Sequence, residues 1–156
     1  MTSDGDLTNL ILEVFRLNGR LLAVGDALVA DLGLTSARWQ VMGAIATAPT
    51  PLPVAHLARA MGLSRQGVQR IMNELVAEDL VQFAANPLHQ RAKLALFTPR
   101  GQKLYDEALL RQKPWADRIS AGLSAADLSN AASLLKTLRE RMEAASGVSE
   151  DTERPG

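Results

Sequence analysis

The chain has 156 residues, of which 47% are hydrophobic and 22% are charged, and its 17 basic residues balance 17 acidic ones. This length suffices for one domain with a substantial core. The sequence lacks a membrane-spanning apolar run, a signal-peptide start and any cysteine, which excludes disulfides and thiolate zinc sites. These features predict a single-domain cytoplasmic protein with no membrane partner.

The neutral total conceals an uneven distribution of charge. Residues 53–100 hold six basic and three acidic side chains, whereas residues 1–52 hold three and five, and residues 101–156 hold eight and nine. A polyanion would therefore be attracted to the middle third of the chain.

Residues 7–30 predict a long helix. Apolar residues recur every three or four positions, as in a coiled-coil seam, at Leu7, Leu10, Val14, Leu17, Leu21, Val24 and Leu28. Arg16 and Arg20 are four residues apart and repel each other on a helix unless an anion lies nearby. They are candidates for binding a ligand carboxylate or a partner-chain acid, and the alternative is a solvated helix face.

A second helix is predicted to follow, with Gly33 ending the first helix and Thr35 capping the next one. The spacing of Trp39 and Met42 turns both side chains inward, so they either line a cavity or belong to the core. Arg38 is predicted to be exposed near the start of this helix, where it could contact a nucleic-acid phosphate.

Residues 57–80 predict a helix-turn-helix. Gly62 ends a short helix, and the hydroxyl of Ser64 can cap the next helix. The apolar residues of that helix form one stripe, Val68, Ile71, Met72, Leu75 and Val76. The opposite face has no carboxylate and consists of Arg65, Gln66, Gln69, Arg70 and Asn73.

This polar face has the side chains of a recognition helix. Arginine, glutamine and asparagine can pair bidentately with guanine and adenine edges in the major groove. A helix, a short turn with glycine and a second helix with such a face are typical of helix-turn-helix DNA-binding proteins. The alternative is an ordinary solvated helix face.

Two strands and a basic loop follow. An alternation with period two predicts strands from Val81, Phe83 and Ala85 and from Leu94, Leu96 and Thr98, with a turn at Asn86-Pro87. A ribbon directly after a recognition helix is a wing. Residues 82–103 hold four basic residues and no acidic one, so Arg91 is predicted to enter the minor groove, with His89 and Lys93 near phosphates.

Two further helices complete the predicted, mainly α fold of about six helices and a two-stranded wing. Thr98 caps the fifth helix, in which Pro114 predicts a kink. Ser124 opens the sixth helix with a capping box. Gly147 is predicted to end that helix before a flexible tail, residues 147–156.

Three stretches resemble the MarR family of winged helix-turn-helix regulators. They are Leu34-Thr35 before a Trp-containing helix, HLARAMGLSRQGVQRIMNELVAEDLV and NPLHQRAKLALFTPRG, and the resemblance extends over residues 7–145. The family's wing commonly carries Asp-x-x-Asp-Arg-Arg-Ala-Lys. This chain has Asn86-Pro-Leu-His89-Gln90-Arg91-Ala92-Lys93, which keeps the second arginine and the lysine and replaces two acids and one arginine.

The resemblance implies a single MarR-like domain over residues 1–156, with a DNA-binding lobe at 35–100 between dimerisation helices at 7–31 and 101–146. It also implies a homodimer that binds a pseudo-palindromic double-stranded DNA operator. The usual mode is repression relieved by a small, often aromatic and acidic, effector. The candidate effector-pocket residues are Arg16, Arg20, Trp39 and Met42.

An enzyme is not predicted. The two histidines leave no base paired with a nucleophile, and neither a glycine-rich phosphate loop nor a metal-ligand spacing is present, so no cofactor or metal is expected. The alternative function is a winged-helix module that binds protein without sequence-specific DNA binding. Salt dependence separates the two, because DNA binding releases counterions.

Overall fold

The computed structural model describes residues 4–150, and the side chains of residues 4–146. Within this range the elements are α1 (Asp4–Val29), a short 3-10 helix (Ala30–Leu32), α2 (Ser36–Thr47), α3 (Val54–Met61), α4 (Arg65–Ala77), β1 (Val81–Ala84), β2 (Leu94–Phe97), α5 (Pro99–Ser120) and α6 (Ala125–Glu150). The predicted fold class, mainly α with a two-stranded antiparallel wing, is confirmed. No helix in the described part of the chain is long and apolar enough to cross a bilayer.

The predicted helix caps form as hydrogen bonds. Each capping hydroxyl accepts a bond from the backbone N–H three residues later, at 3.2 Å for Thr35, 3.1 Å for Ser64 and 3.0 Å for Thr98 and Ser124. Gly62 ends α3 in the left-handed conformation, with φ of 67°, which glycine adopts without steric cost. These local signals therefore fix both helices of the predicted helix-turn-helix.

One prediction about the last helices is wrong. Gly147 does not end α6, which continues through it to Glu150. Glycine lowers helix stability by about 1 kcal/mol relative to alanine but does not forbid a helix. Residues 151–156, the rest of the predicted tail, lie outside the described residues. α5 is also continuous through Pro114.

Two compact units divide the chain, Met1–Trp115 and Ala116–Gly156. The first unit holds the core, whose largest fully buried side chains are Met42, Leu57, Met72, Leu75 and Leu80. Burial of Met72 and Leu75 confirms the inward face of α4 and consequently turns the polar face of that helix outward. The second unit contains the end of α5 and α6, and none of its described residues is fully buried.

The inward face of β2 differs from the predicted alternation by one residue. The antiparallel register pairs Val81 with Phe97 and Phe83 with Ala95. Paired residues share a face of the ribbon, so Phe97 and Ala95 pack toward the core, and Leu96 lies on the other face. Every residue of β2 is apolar, so period two alone could not distinguish its faces.

Candidate nucleic-acid interface

The outward face of α4 gathers the five side chains predicted to form the recognition surface. Arg65, Gln66, Gln69, Arg70 and Asn73 line one depression along the helix. Gln69 Nε2 donates a hydrogen bond to Asn73 Oδ1 at 2.9 Å. This bond holds the two carboxamides in one orientation and leaves each with an unused donor, while Gln69 also keeps an acceptor. Base-edge recognition of adenine requires such a donor and acceptor.

Ser64 stands at the N-terminal end of this surface. Its hydroxyl accepts the Gly67 N–H at 3.1 Å, so its own proton remains available for donation to another acceptor. The N-terminus of a 13-residue helix also presents a partial positive charge from its aligned peptide dipoles. This end of α4 is suited to a phosphate oxygen.

A groove of about 280 Å³ lies between α4, the start of α3 and the wing. Arg65 and Gln69 line it from α4, and Arg91 and Lys93 line it from the wing. None of the described residues that line this groove is acidic. Residues of α4 and of the wing, far apart in the sequence, therefore contribute to one basic surface.

Asn86 fastens the loop of the wing. Its Nδ2 donates to the Ala92 carbonyl at 2.9 Å, and its Oδ1 accepts the Leu88 N–H at 3.0 Å. A carboxamide therefore holds the loop at position 86, where the wing motif of the family that the sequence resembles commonly has an aspartate. Asn86 is neutral, so it adds no negative charge to the loop that carries Arg91. His89 is exposed on the same loop.

The predicted exposure of Arg38 is wrong. Its side chain is only 18% exposed, with Nε 3.1 Å from Glu74 Oε2 and Nη1 2.8 Å from Glu78 Oε1. The hydrogen bond to Glu78, with that to Glu74, raises the pKa of Arg38 against the opposing effect of burial. Arg38 thus joins α2 to α4, through Glu74 on α4 and Glu78 at the C-terminal cap of that helix, and its single charge compensates part of their negative charge.

The cations of the interface are unpaired. Within the described residues, Arg65, Arg70, Arg91 and Lys93 form no ion pair with a carboxylate, and all four side chains are exposed. Their field is consequently not cancelled locally and favours a polyanion over a neutral partner.

A separate cavity of about 310 Å³ lies within the first unit, among α1, α2 and the part of α5 that precedes Ala116. Trp39 lines this cavity, which is one of the two roles predicted for it, the other being a core residue. Sequence reasoning missed Tyr105 and Trp115, which line it from α5. Neither residue carries a local signal for this role, because the cavity exists only where three helices from distant parts of the chain meet.

The other candidate pocket residues lie elsewhere. Met42 is completely buried, so its alternative interpretation as a core residue is correct. Arg16 pairs with Glu13, and both side chains are 68% exposed. Neither Arg16 nor Arg20 is among the residues that line the cavity, and the ion pair fits the alternative of a solvated face for Arg16.

Comparison with known proteins gives a consistent assignment. A sequence model of the MarR family matches residues 32–92. Uncharacterized proteins of Mycobacterium tuberculosis and Mycobacterium bovis are each 35% identical to the chain over 99 residues, which cover 64% of this chain and 68% of the relative.

Solved structures share the fold. A MarR/EmrR family transcriptional regulator from Acinetobacter sp. ADP1 has a TM-score of 0.76 at 18% identity, covering 87% of this chain and 96% of that one. CouR from Rhodococcus jostii RHA1, solved bound to p-coumaroyl-CoA, has a TM-score of 0.74 at 21% identity, covering 89% and 96%. The sequence matches and this shared winged-helix architecture place the chain in the MarR family of transcription regulators.

Proposed function

We propose that the protein is a homodimeric, sequence-specific regulator that binds double-stranded DNA in the cytoplasm and represses transcription until a small effector releases it. The observation that carries this proposal is the surface shared by α4 and the wing. It combines base-reading carboxamides with the unpaired cations Arg65, Arg70, Arg91 and Lys93. Carboxamides can recognise base edges in the major groove, and cations can neutralise phosphates.

The roles of the side chains follow from their positions. Gln66, Gln69, Arg70 and Asn73 would read base edges from the exposed face of α4. Ser64 and Arg65 would contact the groove wall. On the wing, Arg91 would enter the minor groove, and His89 and Lys93 would lie near phosphates. Arg38 would act indirectly, by positioning α4.

A second copy of the chain would explain the apolar surface of the long helices. Phe15 on α1 is 69% exposed, and Leu110 on α5 is 72% exposed. On α6, Leu128, Leu135 and Met142 are between 41% and 56% exposed. Extensive exposed apolar surface marks an interaction site. A two-fold dimer would also place two recognition helices about one DNA turn apart on a pseudo-palindrome.

Release by an effector would act through α2, which lines the cavity and also contacts α4. α2 lines the cavity through Trp39 and holds α4 through Arg38, which is the preceding residue. The p-coumaroyl-CoA bound to CouR supports an effector with an aromatic group for a fold of this type. A ligand that binds one position of α2 more tightly would shift the population of α4 positions and hence the DNA affinity.

The test is fluorescence anisotropy of the full chain on random-sequence duplex DNA at several salt concentrations. The affinity should fall by roughly tenfold or more between 50 and 200 mM salt, because several Arg and Lys side chains displace counterions. Arg91→Ala should bind more weakly, with a salt slope lower by about 1 for each wing in contact. Arg20→Ala is the matched control, because it removes a cation from α1, outside the surface shared by α4 and the wing.

Two results would contradict parts of this proposal. An unchanged affinity and slope for Arg91→Ala would remove the wing from the interface. The absence of binding even at low salt would favour the alternative, a winged-helix module whose partner is a protein.

A further inference from the structure

We propose that the cavity among α1, α2 and α5 binds an uncharged aromatic effector of one or two rings, held by side-chain amides and hydroxyls, and discriminates against aromatic carboxylates. This inference rests on the proposed function, since it names the ligand class of the release step. It replaces the acidic effector that the family resemblance implies.

The lining of the cavity has no charge to offer an anion. None of the thirteen described residues that line it is Arg, Lys, His, Asp or Glu. Apolar side chains such as Leu21, Leu28 and Leu109 form much of the wall. Leu21 and Leu109 at its mouth are 45% and 41% exposed, whereas Gly25 and Ser36 on its inner wall are buried. A carboxylate held against the inner wall would lose part of its hydration without gaining a counterion, which disfavours the charged form.

Three carboxamides supply neutral hydrogen-bonding capacity from three helices. Asn18 lies on α1, Gln40 on α2 and Gln112 on α5, and all three line the cavity. Within the described part of the chain, none of these side chains forms a hydrogen bond with another protein group. Each carries both donors and an acceptor, so together they can satisfy a carbonyl, amide or phenol group on a ligand.

The other polar groups of the lining differ in availability. The Ser36 hydroxyl already donates to the Leu22 carbonyl at 2.7 Å, and the Ser36 N–H donates to Asp26 Oδ1 at 2.6 Å. Ser36 therefore joins α1 to α2 as part of the wall. Tyr105 presents a phenol, which is protonated at neutral pH and offers an O–H donor; burial and the charge of Asp106 raise its pKa further.

The nearby basic residues are directed elsewhere. Arg111 precedes the lining residue Gln112, but its guanidinium forms an ion pair with Asp31. Arg16 pairs with Glu13, and Arg20 does not line the cavity. A carboxylate in this cavity would consequently have no cation from the described residues of its own chain in contact with it.

Size and aromatic lining define the rest of the ligand. The volume of about 310 Å³ lies at the lower end of the range for small-molecule sites. Trp39 and Trp115 both line the cavity, and indoles favour stacked or edge-to-face contacts with an aromatic ring. A compound of one or two rings with a neutral polar group satisfies both features.

The test uses matched ligands that share a ring system and differ in charge. Isothermal titration calorimetry of the full chain would compare cinnamamide with cinnamate and 2-naphthamide with 2-naphthoate. The amide should bind about tenfold or more tightly in each pair, because the carboxylate leaves its charge uncompensated. Trp39 and Trp115 are the chain's two tryptophans, so quenching of tryptophan fluorescence would report binding at this site.

A charge placed in the cavity should invert the preference. Gln112→Lys should make the carboxylate of each pair the tighter ligand, since the ammonium group would supply the missing counterion. Gln102→Lys makes the same change on the same helix, outside the lining, and should leave the preference for the amide intact. Gln40→Lys, at an exposed position of the lining, provides the same test if Gln112→Lys does not fold.

The inference is overturned if wild-type protein prefers the carboxylates or binds neither member of either pair, or if the lysine variants leave the preference unchanged. DNA anisotropy with the same preparation separates this failure from that of the proposed function. Intact DNA binding with a preference for carboxylates would refute the ligand class alone. Amide binding without DNA binding at any salt concentration would refute the regulator and leave the ligand class standing.

Discussion

At the scale of single residues, Gly101 sets how closely α5 approaches the turn between α4 and β1. A Cβ added at Gly101 would lie 1.8 Å from the Leu80 carbonyl oxygen. The same junction is held by the Thr98 hydroxyl, which donates to the Asp79 carbonyl at 2.6 Å. Asp79 has a left-handed φ of 57°. These contacts pack the start of α5 against the turn that joins α4 to β1.

Replacing Gly101 by Ala should therefore destabilise the fold by about 1–3 kcal/mol through overpacking against the backbone, although alanine has the higher helix propensity by about 1 kcal/mol. Urea unfolding at a fixed protein concentration would measure the change. Gly43→Ala in α2 is the control, because its nearest contact would be Tyr105 Oη at 3.8 Å. That variant should equal or exceed the wild type in stability. Equal stability of Gly101→Ala and the wild type would refute the role of this contact.

Residue-scale predictions from the sequence succeeded where the partner is local. The caps at Ser64 and Thr98 need only an N–H three residues away, so residue type and position identify them. The predicted exposure of Arg38 was wrong because its partners, Glu74 and Glu78, lie 36 and 40 residues away in the sequence. Only the packing of α2 against α4 brings them together, and no local pattern encodes that contact.

At the scale of elements, the ion pairs of Arg38 connect the helix that lines the cavity with the helix proposed to read DNA. Glu74 lies in the last turn of α4 and Glu78 caps the C-terminus of that helix four residues later, so a single guanidinium can bind both. Arg38→Gln should lower the free energy of unfolding by about 1 kcal/mol, the upper range for partly exposed pairs. We expect it to weaken DNA binding without changing the salt slope, because the guanidinium of Arg38 is engaged by Glu74 and Glu78 and holds α2 against α4.

A double-mutant cycle with Glu78→Gln would measure this coupling. Glu78→Gln should destabilise the wild-type chain but have a smaller effect in the Arg38→Gln background. If Arg38→Gln instead lowers the salt slope by about 1 and leaves stability unchanged, the original expectation of a phosphate contact is restored.

Element-scale prediction was limited by patterns that fit two structures equally well. β2 reads Leu-Ala-Leu-Phe, which is apolar on both faces, so its inward face was decided only by pairing with β1. The stripe of α4 alternates with a polar face, so its inward side was predicted correctly at Met72 and Leu75, whereas Val76, placed in the same stripe, is 38% exposed. The cavity could not be foreseen beyond Trp39, since its carboxamides are ordinary polar positions on three separate helices.

At the scale of the whole molecule, the proposed dimer explains why the long helices keep apolar residues exposed. α6 carries Leu128 and Leu135 seven residues apart, on one side of the helix, at 47% and 41% exposure. On a single chain this seam would face water. Leu88, at the tip of the wing, is 95% exposed. It is an isolated apolar residue and does not belong to the apolar seam of α6.

Substituting Leu135 by Glu should therefore convert the protein from a dimer to a monomer, because each interface would bury an uncompensated carboxylate from both copies. Sedimentation equilibrium should give twice the mass of one chain for the wild type and for the control Leu88→Glu, and the mass of one chain for Leu135→Glu. A monomer has one copy of the surface formed by α4 and the wing, where the dimer has two. The salt slope of the monomer on DNA should therefore fall to about half that of the dimer. A monomeric wild type, or a dimeric Leu135→Glu with an unchanged slope, would show that the apolar seam of α6 does not join two copies.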